Sequence, residues 1–224
     1  KGSSYKTMRI KIAVVFWKNF IFLKKELKNL IVFSIIIIVL ISFLGFYFPY
    51  LDLFLPFVSL IYIPLIFGMC ENARDMMSGL LEAIAATHYS LKKLFFKDIL
   101  FSAIVGFILL VFSTIISWII LNIFDYEIQF TNLSLSLILS ILAPVGSFGL
   151  QREGGISTLF QNIFLNKLLG FVMIPFYLFS FLMIFFQWAY IILWILSILS
   201  VIIFLILTFF GEVNKEAVIN LWGN

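Results

Sequence analysis

Leu30-Ile31-Val32-Phe33-Ser34-Ile35-Ile36-Ile37-Ile38-Val39-Leu40-Ile41-Ser42-Phe43-Leu44-Gly45-Phe46-Tyr47-Phe48 contains no charged residue. A helix needs roughly 20 apolar residues to cross a hydrocarbon core about 30 Å thick, and this run suffices. Five more runs follow, at Leu53–Cys70, Ile99–Phe124, Leu133–Leu150, Leu168–Phe186 and Ala189–Phe210. Six such helices use roughly 120 residues, more than half of a chain of 224. The chain is 63% hydrophobic and 12% charged, against about 25% charged for a soluble domain. The expectation is an all-α membrane protein with one six-helix transmembrane domain, 30–210, and a cytoplasmic tail, 211–224.

The charges set the orientation. Lys1, Lys6, Arg9, Lys11, Lys18, Lys24, Lys25 and Lys28 precede the first run; Arg74, Lys92, Lys93 and Lys97 follow the second; Arg152 and Lys167 flank the junction of the fourth and fifth; Lys215 lies in the tail. The alternate connections carry only Asp52, Asp125 and Glu127. Basic loops are retained inside, so both termini are expected in the cytoplasm of a multi-pass protein of the plasma or inner membrane. The net charge of +4 is dispersed by topology and not gathered on one face, which argues against nucleic-acid binding. The lone Cys70 permits no intrachain disulfide. No cleavable signal peptide is expected, because the first run is longer than a signal core and lacks a small-residue cleavage site.

Ahead of the first span, segment 5–29 reads as an amphipathic interface helix. Met8, Ile12, Val15, Phe16, Phe20 and Leu23 recur at three- and four-residue spacing, with Lys11, Lys18, Lys25 and Lys28 interleaved, a pattern suited to the inner headgroup layer. Pro49-Tyr50-Leu51-Asp52 is a turn short enough to make the first two helices antiparallel neighbours. The last two spans meet at Gln187-Trp188, leaving only a few residues for their connection.

Several function classes are disfavoured. The expected spans hold no Asp, Glu, Lys, Arg or His away from their ends, whereas proton-coupled carriers keep an ionisable group at mid-membrane. The single histidine, His88, lies in a loop and reads as a solvated side chain. One histidine cannot supply an H-E-x-x-H zinc site, and no G-x-S-x-G or G-x-x-x-x-G-K-[ST] sequence occurs. Neither metal ligation nor catalysis is expected, and the chain is not expected to hydrolyse ATP alone.

Segment 71–97 is the sizeable non-membrane stretch between spans. Ser78 is placed to cap a short helix, Glu82 suits its positive end, and Leu80, Leu81 and Ile84 give it an apolar face. Ser90 is placed to cap a further helix running from Leu91 through Lys97 into the third span. The order Glu71, Arg74, Gly79-Leu80-Leu81-Glu82, Ile84, Thr87, Ser90, Lys97 resembles the permease subunits of type-2 ATP-binding-cassette exporters. His88 stands where that family has a proline. Six spans, an N-terminal interface helix and cytoplasmic termini agree with the family as well.

The resemblance implies a half-transporter. A second permease chain, identical or related, would complete the pathway. A separate ATPase subunit, binding ATP and Mg, would drive it, with no cofactor held by this chain. Glu71, Arg74, Asp75, Gly79, Leu80, Leu81, Glu82, Ile84 and Thr87 would form the coupling contact, and Arg152 and Glu153 a smaller second one. Ser113, Thr114, Ser117 and Asn122 of the third span are candidates for a path suited to amphipathic or apolar cargo, without a fixed charge to hold a small ion. Two other classes stay open: a channel or carrier working without ATP, and a membrane scaffold or assembly factor docking through the basic helix and the 71–97 loop.

Overall fold

The computed structural model describes residues 17, 19–21, 23–48, 50–75, 91–126, 129, 130, 132–156 and 171–210. Among them six α-helices follow in order: α1 (Leu27–Tyr47), α2 (Leu55–Asp75), α3 (Leu91–Ile123), α4 (Leu133–Ile156), α5 (Met173–Leu182) and α6 (Gln187–Phe210). A 3-10 turn, Leu51–Phe54, leads into α2. Helix is the economical solution for such segments, because a hydrocarbon solvent offers backbone groups no partner outside the chain. Five stretches are long and apolar enough to cross a membrane: Leu27–Tyr47, Leu51–Met69, Phe96–Ile123, Leu133–Gln151 and Gln187–Phe210.

The fifth expected span, Leu168–Phe186, is the exception. α5 has 10 residues, about 15 Å of helix and half the hydrocarbon thickness. It ends because residues 183–185 form turns, with Phe186 N bonded to Leu182 O at 2.9 Å. Met183 is buried there. Residues 157–170 lie outside the described residues.

The bundle is inverted relative to a soluble protein. Ser42, Ser59, Ser102, Ser113, Ser117, Ser140, Ser147, Ser180 and Ser197 are buried, while Ile35, Val39, Phe43, Ile195, Ile202 and Phe209 are exposed. Water would select the opposite arrangement. Lipid permits it, since helices in lipid associate through small and weakly polar residues while large apolar ones meet the acyl chains. The described architecture is that of a multi-pass membrane protein. Two-thirds of the span in α2 is buried, 67%, against 28% in each of α1 and α6, so α2 is the central rod. It packs on α3, α4 and α5, and α4 packs most extensively on α6.

Hydrogen bonds between helices tie this centre together. The Tyr62 and Ser113 hydroxyls share a bond of 2.8 Å between α2 and α3, and Ser117 Oγ donates to Ile38 O of α1 at 3.2 Å. Pro64 lies inside α2, where its missing N–H leaves the carbonyl four residues earlier without its helical donor. That carbonyl belongs to Leu60, and the Tyr177 hydroxyl of α5 donates to it at 2.8 Å. Tyr177→Phe is therefore expected to destabilise the protein by about 1–3 kcal/mol, the cost of leaving a buried polar group without its partner. Thermal unfolding of detergent-solubilised protein measures this. Pro64→Ala, which returns an N–H to the same carbonyl, is expected to shrink the loss.

Six helix ends meet at one end of the bundle, where three connections are short. Asp125 adopts φ 57, the left-handed region that aspartate tolerates better than most residues. Its N–H bonds Asn122 O and that of Tyr126 bonds Leu121 O, both at 3.1 Å, closing α3 in a Schellman arrangement. Asp52 is fully buried, and its Oδ2 accepts from the Asn132 N–H at 2.8 Å just ahead of α4. A carboxylate suits that positive helix end. A bridge pairs Tyr50 with Gln129, and edge-to-face rings join Phe46 to Tyr126 at 4.7 Å and Phe48 to Phe185 at 5.3 Å.

Candidate functional site

The opposite end of the bundle carries the expected coupling residues. α2 continues as helix through Asp75, so Glu71, Arg74 and Asp75 lie on its last turns. The described part of α3 begins at Leu91, and Ser90 lies outside the described residues. Gly79, Leu80, Leu81, Glu82, Ile84 and Thr87 lie outside the described residues. Arg152 and Glu153 lie on the last two turns of α4. α2 and α4 both start at the short-connection end and pack against each other. Glu71 to Asp75 and Arg152 with Glu153 therefore lie at the same end of the bundle.

A polar pair at that end escapes sequence reading. Asn19 Nδ2 donates to Asp98 Oδ1 at 2.7 Å, with both residues at most 1% exposed. Ser102 Oγ donates to the Asp98 carbonyl at 2.9 Å, back-bonding one turn along α3. Beside the pair, Leu23, Leu30, Ile66 and Phe101 form an apolar cluster. Residues 17, 19–21 and 23–25 of the N-terminal segment are helical, and residues 5–16, 18 and 22 lie outside the described residues. The segment's described apolar residues are divided. Leu23 is buried with Asn19 against the bundle, whereas Trp17 and Phe20, stacked with centroids 6.3 Å apart, face outward. Lys24, Lys25 and Lys28 are exposed.

The third-span candidates are placed unequally. Ser113, Thr114 and Ser117 are buried, with hydroxyls bonded to Tyr62, to the Leu110 carbonyl at 2.8 Å and to the Ile38 carbonyl. Asn122 is exposed near the end of α3. The structure thus brings three of the four into the helix contacts of α3 and leaves the fourth at the rim.

A recess of about 570 Å³ opens at the short-connection end. It is bounded by Tyr50 and Leu53 of the first connection, Asn132 and Ser136 at the start of α4, and Met183 to Gln187, Tyr190 and Ile191 around the α5–α6 turn. Among the described residues, no charged side chain lines it. Ser136 is fully buried, and neither its Oγ nor the buried Tyr190 hydroxyl has a hydrogen-bond partner among the described residues. The starts of α4 and α6 both reach this wall, bringing two positive dipole ends to it. Its size and its apolar lining with a few polar groups are those of a small-molecule site.

Ser136, Ser140, Ala143 and Ser147 repeat at four-, three- and four-residue spacing and mark the inward face of α4. That spacing was the available signal for Ser136. Asn19 and Asp98 offered none, being 79 residues apart. Comparison with protein-family models, with curated proteins and with solved structures finds no match.

Proposed function

We propose that the chain is the membrane-spanning half of an ATP-driven exporter in the plasma or inner membrane, organised like the type-2 permeases whose loop pattern it resembles. A second permease chain completes the pathway, and a separate ATPase subunit, carrying ATP and Mg, docks on segment 71–87 with a smaller contact at Arg152 and Glu153. The chain itself performs no hydrolysis. One observation carries the reading: α2, the most buried helix, and α3 run on as helix to Asp75 and from Leu91. Segment 76–90 is thereby strung between two rods rooted in the centre of the bundle. Force applied to it at the cytoplasmic side travels along α2, and the Tyr62–Ser113 and Tyr177–Leu60 bonds pass it to α3 and α5. The absence of an Asp, Glu, His, Lys or Arg halfway along the described helices favours an external energy source over proton coupling.

The test is purification from native membranes in mild detergent. A nucleotide-binding subunit is expected to accompany the chain. Glu71→Ala, and Gly79→Ala combined with Leu80→Ala, are expected to weaken the association at least about tenfold, a loss of ~1.4 kcal/mol. ATP hydrolysis should then fall to that of the free ATPase. Recovery of the chain without any such subunit overturns the reading, as does full association and stimulation in both variants.

A further inference from the structure

The recess at the short-connection end is built from groups that the helix contacts leave unused. Two of its lining residues, Ser136 and Tyr190, carry buried hydroxyls that have no hydrogen-bond partner among the described residues. A buried hydroxyl without a partner is costly, and a ligand atom that satisfies it gains what the protein alone lacks. Around them lie Met183, Ile184, Phe185, Phe186 and Leu53. Ile191 and Phe185 are also exposed at the bundle's surface, so the recess adjoins the apolar belt that meets lipid.

Electrostatics narrows the occupant. A charged end group of either sign would lose its hydration with no opposite charge among the described residues of the lining to replace it. The Asp52 carboxylate at the Asn132 N–H offsets the positive end of α4, so neither sign is favoured there. An uncharged group that donates and accepts hydrogen bonds avoids that loss.

We infer that this recess binds the uncharged hydroxyl or amide end of an amphipathic molecule, whose apolar part lies along Ile184, Phe185 and Ile191. The inference rests on the export reading for its meaning: the recess would then receive cargo at the outer side and select neutral over charged amphipaths.

The experiment uses the full chain in phosphatidylcholine nanodiscs and three photoreactive probes sharing one diazirine-bearing acyl chain, with a glycerol, a phosphate or a trimethylammonium end. The glycerol probe is expected to label peptide 183–191 saturably, and the charged probes at least about tenfold less effectively. Tyr190→Phe, which removes one oxygen and little volume, is expected to raise the half-saturating concentration several-fold. Ser136→Ala added to it should bring the increase to about tenfold, as two lost hydrogen bonds require. Ile184→Trp should abolish saturable labelling by filling the space. Equal labelling by a charged probe, labelling that never saturates, or half-saturation unmoved in the Tyr190→Phe protein overturns the inference. A chain that labels as expected but brings no ATPase keeps the recess and loses the export reading; one that brings its ATPase and fails to label does the reverse.

Discussion

An Asn19→Asp variant is expected to reach the membrane fraction at a small part of the wild-type level, and adding Asp98→Asn is expected to restore most of it. The wild-type pair is an amide donating to a carboxylate at 2.7 Å in a site closed to solvent. Two carboxylates at that separation repel by roughly 6 kcal/mol at an effective dielectric of 20. Protonation of one of them limits the cost, yet several kcal/mol is comparable to the whole stability of a domain. The exchanged pair regenerates one amide and one carboxylate with the polarity reversed. Fluorescence-detected size-exclusion chromatography of the two single variants and the double variant measures the effect. Equal recovery of Asn19→Asp and wild type would show that the N-terminal segment does not depend on this contact.

Gly149→Leu is expected to force α4 and α6 apart and lower stability by about 1–3 kcal/mol or more, the usual range for overpacking a filled interior. A Cβ at Gly149 would lie 2.7 to 2.9 Å from three ring atoms of Phe204, which is itself buried. One turn away, a Cβ at Gly146 would lie 3.0 Å from Ser200 Cβ and 3.1 Å from the Ser197 carbonyl, so the ring has little room to retreat along the seam. Gly68 supplies the contrast. Nothing lies within 4 Å of a Cβ there, and Gly68→Ala in α2 is expected to be neutral or to stabilise by about 0.5–1 kcal/mol through backbone entropy. Thermal unfolding of both variants against wild type separates close packing from a general sensitivity of glycine positions.

Hydropathy made the long helices legible. It could not resolve the α5–α6 hairpin, because Met173 to Phe210 is apolar almost throughout. A run apolar on every side shows neither where a helix stops nor which face turns inward. The same uniformity hides which way Ser113 and Ser117 point. Asp52 read as an ordinary loop acid, since its partner is a backbone N–H 80 residues away. The recess was illegible for a related reason: three separate connections bring its wall together, and none of them carries a motif. The coupling residues proposed in segment 71–87 come from a family-like order of residues along one loop.

Four hydroxyls of the α4–α6 seam serve their own helices. Ser140 bonds the Ser136 carbonyl, Ser147 that of Ala143, and Ser197 that of Leu193 at 2.6 to 2.7 Å, with Ser200 bonded likewise to Leu196. Elsewhere, hydroxyls from one helix reach across to another, as at Tyr62–Ser113 and Tyr177–Leu60. A crossing bond fixes axial register, because displacement breaks it. These four serines impose no such register. What holds α6 in register along α4 is therefore close packing, Phe204 over Gly149 and Ser200 over Gly146, while these four hydroxyls travel with their own acceptors.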